Sequence, residues 1–231
     1  MKIDLNDIAL HSIYAKGVGR ITTEYCGKLF KRYMVSGSIL ELGPAEGVMT
    51  EILCKNQSDY TVVDGAEYFI EEIKRKFPKV KAYCSYFENF KPERQYDNII
   101  LGHVLEHVDN PEQVLKLCKQ WLKQEGRILS AVPNSESLHR QAAVKMGLLE
   151  RTSSFSEKDI CHGHQRIYNY QSFQQEFIQI GYEILVSGGY WLKPLPDKLI
   201  EKDWTRDQID AFFELGEKYP EIAGEIYIIA K

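Results

Sequence analysis

Paired cysteines at metal-binding or redox spacing are missing from this 231-residue chain. Its five cysteines, Cys26, Cys54, Cys84, Cys118 and Cys161, are scattered with no CxxC among them. That argues against a zinc ribbon, a thioredoxin-like motif or a disulfide framework. No run approaches the about 20 apolar residues needed to span a bilayer, and no apolar signal segment follows the first charges. Blocks of Lys and Arg are absent too: 29 basic and 33 acidic residues are interspersed, for a net charge of -4. The densest basic stretch, Lys28–Arg32, suits the solvated face of a helix and lacks the electrostatic footprint of a duplex-binding surface. There are no internal repeats and no low-complexity linker. The expectation is a cytoplasmic protein with reduced thiols, with neither nucleic acid nor membrane among its partners.

What remains is ordinary globular composition, 44% hydrophobic and 27% charged, enough for one domain over residues 1–231 with a substantial core. From residue 36 onward, short β-like runs alternate with helical spacing. Ser38–Leu42, Tyr60–Asp64, Val80–Tyr83, Tyr96–Leu101 and Arg127–Val132 read as five strands. Helices are expected at Gly47–Cys54, through Phe69, Ile70, Ile73 and Phe77 up to Pro78, and from Pro111 through Val114, Leu115, Trp121 and Leu122. Such alternation predicts an α/β fold, a doubly wound and mostly parallel sheet with helices on both faces. Residues 1–35 read as a helical segment and 36–132 as the core. Residues 133–196 read as an insertion and a strand on the acceptor side, and 197–231 as a C-terminal helix and an edge strand. Tyr182–Val186 and Glu225–Ala230 look like strands, the latter antiparallel and closing the sheet. The polar stretch 134–166 is expected to form a lid, as long insertions commonly do.

The densest chemical signal is Ile39–Gly47, which leaves a strand, turns on small residues and enters a helix. Gly43 and Gly47 let a ligand approach the backbone, and the helix start offers free N–H groups. A dinucleotide fingerprint requires glycine at position 48, which is Val48. The spacing instead is ExGxAxG, from Glu41 to Gly47 with Ala45 in the middle. A carboxylate at Glu41 repels pyrophosphate and suits an ammonium or sulfonium. Asp64, about 20 residues on at a strand end, can accept both hydrogen bonds of a ribose diol. Read singly, the glycines are also compatible with plain turns, and Asp64 with a helix cap.

With these residues, the chain resembles the class I S-adenosylmethionine-dependent methyltransferases. Gly43, Ala45, Gly47 and Asp64 match the first two motif positions of that family. Ser85-Tyr86-Phe87-Glu88 follows strand three, where the family holds adenine, and Tyr86 stands where many members carry Asp. Leu101–Val108, with His103, Glu106 and His107, resembles the segment beside the methionine part of the cofactor. The resemblance covers roughly residues 36–132. It implies a Rossmann-like fold and S-adenosyl-L-methionine as cofactor, with Glu41, Gly43, Ala45, Gly47, Asp64, Ser85, Tyr86, Phe87 and His103 around it. His103 is equally compatible with site and scaffold, and His107 with packing.

Methyl transfer to an alcohol benefits from a base, most often His, Asp or Glu. Asp159-Ile-Cys-His162-Gly163-His164-Gln-Arg166-Ile-Tyr168 concentrates polar and titratable groups. It is similar to stretches of small-molecule methyltransferases that pass over the acceptor. That similarity implies His162 or His164 as the base, with His103 a further catalytic candidate, and Arg166 as holder of an anionic acceptor. Arg166 paired with Asp159 in an exposed loop is the plainer alternative. Cys161, His162 and His164 lack zinc-finger spacing, so no metal is expected. Tyr14, Tyr168 and Tyr190 complete the expected acceptor contacts, with Tyr190 in an aromatic, proline-bearing segment from Gly188 to Pro196. The function implied is methylation of a small polar acceptor, at an oxygen of a sugar, nucleotide-linked or phosphorylated metabolite. A capsular phosphoramidate methyltransferase is the narrower form. An N-methyltransferase, a quinone-type O-methyltransferase and an inactive cofactor-binding partner are the alternatives. The expected partners are the small-molecule acceptor and a second copy of the chain in a homodimer.

Overall fold

The computed structural model describes residues 12 and 14–231. The part of the expected N-terminal helical segment at 1–11 and 13 lies outside them. Helix α1, Gly17–Tyr33, precedes a seven-stranded sheet. The strands are β1 Ile39–Leu42, β2 Tyr60–Asp64, β3 Lys81–Cys84, β4 Tyr96–Gly102, β5 Leu122–Pro133, β6 Ile184–Tyr190 and β7 Glu225–Ala230. Helices α2 Val48–Leu53, α3 Glu67–Lys76 and α4 Pro111–Trp121 connect the first five strands. The insertion after β5 carries α5 Leu138–Lys145, α6 Glu157–Cys161 and α7 Tyr170–Ile180, and α8 Asp197–Asp203 and α9 Arg206–Lys218 join β6 to β7. No described helix is long and apolar enough to cross a membrane.

The strand order is β3-β2-β1-β4-β5-β7-β6, with β7 antiparallel to both neighbours and the other adjacent pairs parallel. This is the expected doubly wound sheet with an antiparallel last strand, but the edge placement needs correcting. β7 lies between β5 and β6, and β6 is the edge. The reason is visible in burial: every residue from Ile226 to Ala230 is buried, whereas Leu185 in β6 is 38% exposed. A strand apolar on both faces belongs inside a sheet.

Two hydrophobic layers sandwich the sheet. Leu40, Leu42, Ile99 and Ile128 face one layer, where Val114 and Leu115 of α4 and Phe173 and Phe177 of α7 pack. Ile39, Val62, Ile100 and Leu129 face the other, against Leu29 and Phe30 of α1, Met49 of α2, Ile70 and Ile73 of α3 and Phe213 of α9. Each such fully buried side chain contributes about 1.5–3 kcal/mol. Helix α4 starts as the sequence predicts, with Pro111 in its first turn and the Asn110 side chain accepting from the Gln113 N–H. The parallel strands therefore deliver the loops after β1, β2, β3 and β4 to one edge, where the order reverses between β1 and β4. That reversal is the usual ligand crevice of such sheets.

Candidate active site

The loop between β1 and α2 turns through three left-handed residues, Gly43 (φ 66), Ala45 (φ 46) and Gly47 (φ 83). A Cβ on Gly43 would come within 2.9 Å of Val104 Cγ2, and one on Gly47 within 2.6 Å of Ile73 Cδ1. Both positions therefore demand glycine for conformation and for space. Glu41, at 2% exposed, sits beneath this loop, its Oε2 accepting from Thr50 Oγ1 at 2.6 Å and the Tyr60 hydroxyl at 2.8 Å. Burial pushes its carboxyl up to about 7, against the pull of those two hydrogen bonds. Asp64 ends β2 and accepts from the Ala66 N–H at 2.8 Å. Burial raises it to about 6, and backbone hydrogen bonds from Ala66, Ala45 and Gly65 hold it from going higher. Glu41, Gly43, Ala45, Gly102 and His103 line one cavity.

After β3, Ser85 Oγ donates to the Tyr86 carbonyl at 2.9 Å and the Tyr86 ring is 53% exposed. The Phe87 ring reaches in to lie 3.9 Å from where a Gly43 Cβ would stand.

A second cavity of about 130 Å³ lies on the far side of His103, under the lid. His103 follows β4 in the left-handed region (φ 59), its N–H donating to the Ala131 carbonyl at 2.8 Å. Its Nε2 is 3.1 Å from the Tyr190 hydroxyl, and its Nδ1 is 3.5 Å from Glu106 and 3.7 Å from Glu225. Burial alone would lower its pKa. The Cys26 thiol and the Glu106 and Glu225 carboxylates outweigh that and push its pKa well above the ordinary histidine value.

The lid is organised by Asp159. Its Oδ2 accepts from the Ser156 N–H and hydroxyl, capping α6, and from Arg140 Nη1 of α5 at 2.9 Å. Its Oδ1 is 3.0 Å from His164 Nδ1. Burial would raise this carboxyl, but His164, Ser156 and Arg140 together hold it far below the usual range. His162 also lines the cavity, lowered to about 4 by burial and then by the Lys158 charge. Lys193 and Asp197 pair at 2.6 Å on the same wall. Tyr14, Thr23 and His103 border both cavities.

A model of the methyltransferase domain family matches residues 19–187. The chain belongs to this family. A malonyl-[acyl-carrier protein] O-methyltransferase of Priestia megaterium is 31% identical over 126 residues, 50% of this chain and 46% of that one. The chain thus spans about half the length of the curated relatives it matches. Among solved structures, an S-adenosylmethionine-dependent methyltransferase of Archaeoglobus fulgidus superposes with TM-score 0.65 at 20% identity, covering 95% of this chain and 97% of that one. A plantazolicin methyltransferase bound to SAH gives TM-score 0.63 at 17% identity, covering 97% and 89%. The fold is thus that of the S-adenosylmethionine-dependent methyltransferases, and S-adenosylmethionine is the cofactor of that fold and family. The relatives named here give no support to the narrower capsular reading.

Of the residues singled out in the sequence of this methyltransferase family member, Glu41, Gly43, Ala45 and His103 converge on the first cavity. His162, His164, His103 and Tyr14 converge on the second. Gly47, Asp64, Ser85, Tyr86 and Phe87 line neither cavity, and Arg166, Tyr168 and Tyr190 are likewise absent from both walls. The Arg166 guanidinium donates to the carbonyls of Leu105, Val108 and Asp109, tying down the loop after β4, so it is spent on backbone and not on an anion. Asp159 pairs with Arg140 instead. Tyr168 is 3% exposed and packs on Phe173 in the core. Tyr190 is fully buried against Tyr25 and Phe213, touching the site only through His103. The wall beside it is Trp191.

Sequence reasoning missed Glu106, Lys193 and Glu225 as cavity residues. Glu225 begins a strand far along the chain from His103, and no local pattern announces that pairing. Glu106 lay inside a recognised motif, and its burial beside three histidines was the missing information.

Proposed function

We propose that this chain is an S-adenosylmethionine-dependent methyltransferase that methylates a hydroxyl oxygen of a small polar molecule. The observation that carries the reading is the junction. The cavity at the glycine loop and the cavity under the lid share Tyr14, Thr23 and His103 as a common border. A methyl donor held in the first cavity and an acceptor in the second would meet there, which is what an in-line displacement requires.

The residues present fit that cofactor. The loop after β1 brings Gly43 and Ala45 to the cavity wall with Glu41 beneath, and Asp64 offers a carboxylate at the end of β2. The bound cofactor supplies the electrophilic methyl and the sulfur leaving group. With that cofactor bound, the acceptor oxygen would form a C–O bond as the S–C bond broke, its electrons going to the sulfur leaving group. The hydroxyl proton passes to His162, a cavity imidazole with no hydrogen-bonding carboxylate partner among the described residues. His103 is less suited to that role, because its Nε2 is already 3.1 Å from the Tyr190 hydroxyl and its Nδ1 faces Glu106 and Glu225. It instead orients the junction. A cavity of about 130 Å³ suits a small polar group. Its cations Arg140, Lys158 and Lys193 are already paired with Asp159 and Asp197, so a neutral hydroxyl fits better than a phosphate.

Calorimetric titration with S-adenosylmethionine and S-adenosylhomocysteine, with NAD as control, tests the first half. Micromolar binding of the first pair and none of NAD is expected. Binding of NAD alone would overturn the reading. A screen of polyhydroxylated and phosphorylated acceptors with labelled methyl donor then tests the second half. Methylation confined to amines would reject the oxygen acceptor.

A further inference from the structure

Glu106 is 1% exposed, and neither of its oxygens has a hydrogen-bond partner among the described residues. Its nearest contacts are His103 Nδ1 at 3.5 Å and His107 Nε2 at 4.0 Å, both to Oε1. Those distances are too long for hydrogen bonds of ordinary strength. Buried carboxylates without such partners are costly and are commonly found paired or bound to metal. This one lines the acceptor-side cavity.

Two imidazoles face the same point. The ligand atoms of Glu106, His107 and His164 all lie within 4.8 Å of one another. The His164 ring is oriented from behind, where Asp159 Oδ1 holds its Nδ1 at 3.0 Å. A carboxylate or backbone carbonyl behind the ring is the outer-shell arrangement that fixes the tautomer of a metal-binding histidine. With Nδ1 of His164 occupied, Nε2 is the nitrogen left for an ion.

We propose that Glu106, His107 and His164 bind one divalent transition-metal ion on the wall of the acceptor cavity. Two imidazoles and one carboxylate suit the first-row ions from Mn²⁺ to Zn²⁺, whereas Mg²⁺ and Ca²⁺ take oxygen sets. Ligand bonds of about 2.0–2.2 Å bring donor atoms to about 3–3.5 Å apart, so the triad closes only slightly on binding. The Tyr14 hydroxyl, 3.0 Å from His107 Nε2, gives up that nitrogen to the ion. The three donors come from two loops, residues 106–107 after β4 and residue 164 after α6. Neither loop carries recognisable metal spacing alone, and this replaces the expectation of no metal. An acceptor hydroxyl at an open coordination position loses its proton more readily, and His162 stays free to take it. That last role rests on the methyl-transfer reading, but the metal site does not.

The test is titration of chelator-stripped full chain with Co²⁺ by visible absorption and with Zn²⁺ by calorimetry, alongside S-adenosylhomocysteine. One ion per chain is expected in the wild type and in Cys161→Ser, which removes an exposed thiol near the site. Affinity is expected to fall at least tenfold in Glu106→Gln and in His164→Ala, with unchanged circular dichroism. If Glu106→Gln does not fold, His164→Ala decides. Absence of saturable binding in the wild type would overturn the site. So would binding indifferent to His164→Ala, or binding lost in Cys161→Ser. Failure to bind metal with S-adenosylhomocysteine still bound rejects the metal alone. Metal bound with no S-adenosylhomocysteine binding rejects the methyl-transfer reading alone.

Discussion

On one side of His103 the cavity is made largely of the loop after β1, with left-handed turns at Gly43 and Ala45 and with Glu41 beneath them. On the other side it is made of ionisable side chains drawn from the loop after β4, the lid, the end of β6 and the start of β7. The first is one contiguous strand–loop–helix unit plus strand ends, so its geometry follows from local conformation. The second depends on tertiary assembly, with Asp159 alone linking α5, α6 and His164. A construction of the first kind can be kept while the second changes, which is how a shared fold serves different acceptors.

The comparison breaks most visibly at His162. Removing a general base costs about 100- to 10,000-fold in rate, so His162→Ala is expected to lower kcat at least about 100-fold while S-adenosylhomocysteine affinity stays the same. Steady-state kinetics beside calorimetry on the same preparation checks both halves. Unchanged turnover would remove His162 from proton transfer. A parallel loss of cofactor affinity would show that the two cavities are not separable.

The same division explains what the sequence made legible. The five parallel strands, the Pro111 helix start and the Gly43–Gly47 turn are all short-range patterns, and all are found in the structure. The misreadings lie around the cavity under the lid. Arg166 is a polar residue in a polar loop, and nothing local tells a guanidinium bound for an acceptor from one bound for the carbonyls of Leu105, Val108 and Asp109. Tyr168 and Tyr190 were aromatic residues near a presumed cleft, but packing against Phe173 and Phe213 claimed them. The edge assignment of β7 failed because strand order is set by both faces of a strand, and sequence order alone is no guide to it.

Glu41 and Asp64 sharpen the backbone-built side. The folded protein holds the Glu41 proton up to about 7, above its ordinary value near 4.5. The folded state therefore binds that proton more tightly than the unfolded state. Its contribution is fully present below the unfolded pKa and is lost as pH rises through the folded one. Chemical denaturation of the apo protein is expected to show about 3 kcal/mol of stability lost between roughly pH 4.5 and 7 from this group, and Glu41→Gln to flatten that decline. An unchanged slope in the variant would assign the pH dependence elsewhere. Asp64→Ala is expected to weaken S-adenosylhomocysteine binding by about 1–3 kcal/mol through lost hydrogen bonds, with acceptor KM unaltered. Affinity equal to wild type would displace the ribose from the end of β2.

The smallest expected effect falls on the border itself. Tyr190→Phe removes only the hydroxyl 3.1 Å from His103 Nε2 and leaves the ring stacked on Tyr25 and Phe213. Losing one hydrogen bond of this kind costs about 1 kcal/mol, so a modest drop in melting temperature is expected. The informative quantity is which cavity feels it. On its other nitrogen His103 faces Glu106 at 3.5 Å and Glu225 at 3.7 Å, both lining the cavity under the lid. A ring released at Nε2 is free to shift toward that cavity, so acceptor KM or kcat is expected to shift several-fold and S-adenosylhomocysteine affinity to stay within error. The opposite outcome, cofactor affinity falling with acceptor kinetics intact, would place His103 in the backbone-built half and move the boundary between the two constructions to Glu106.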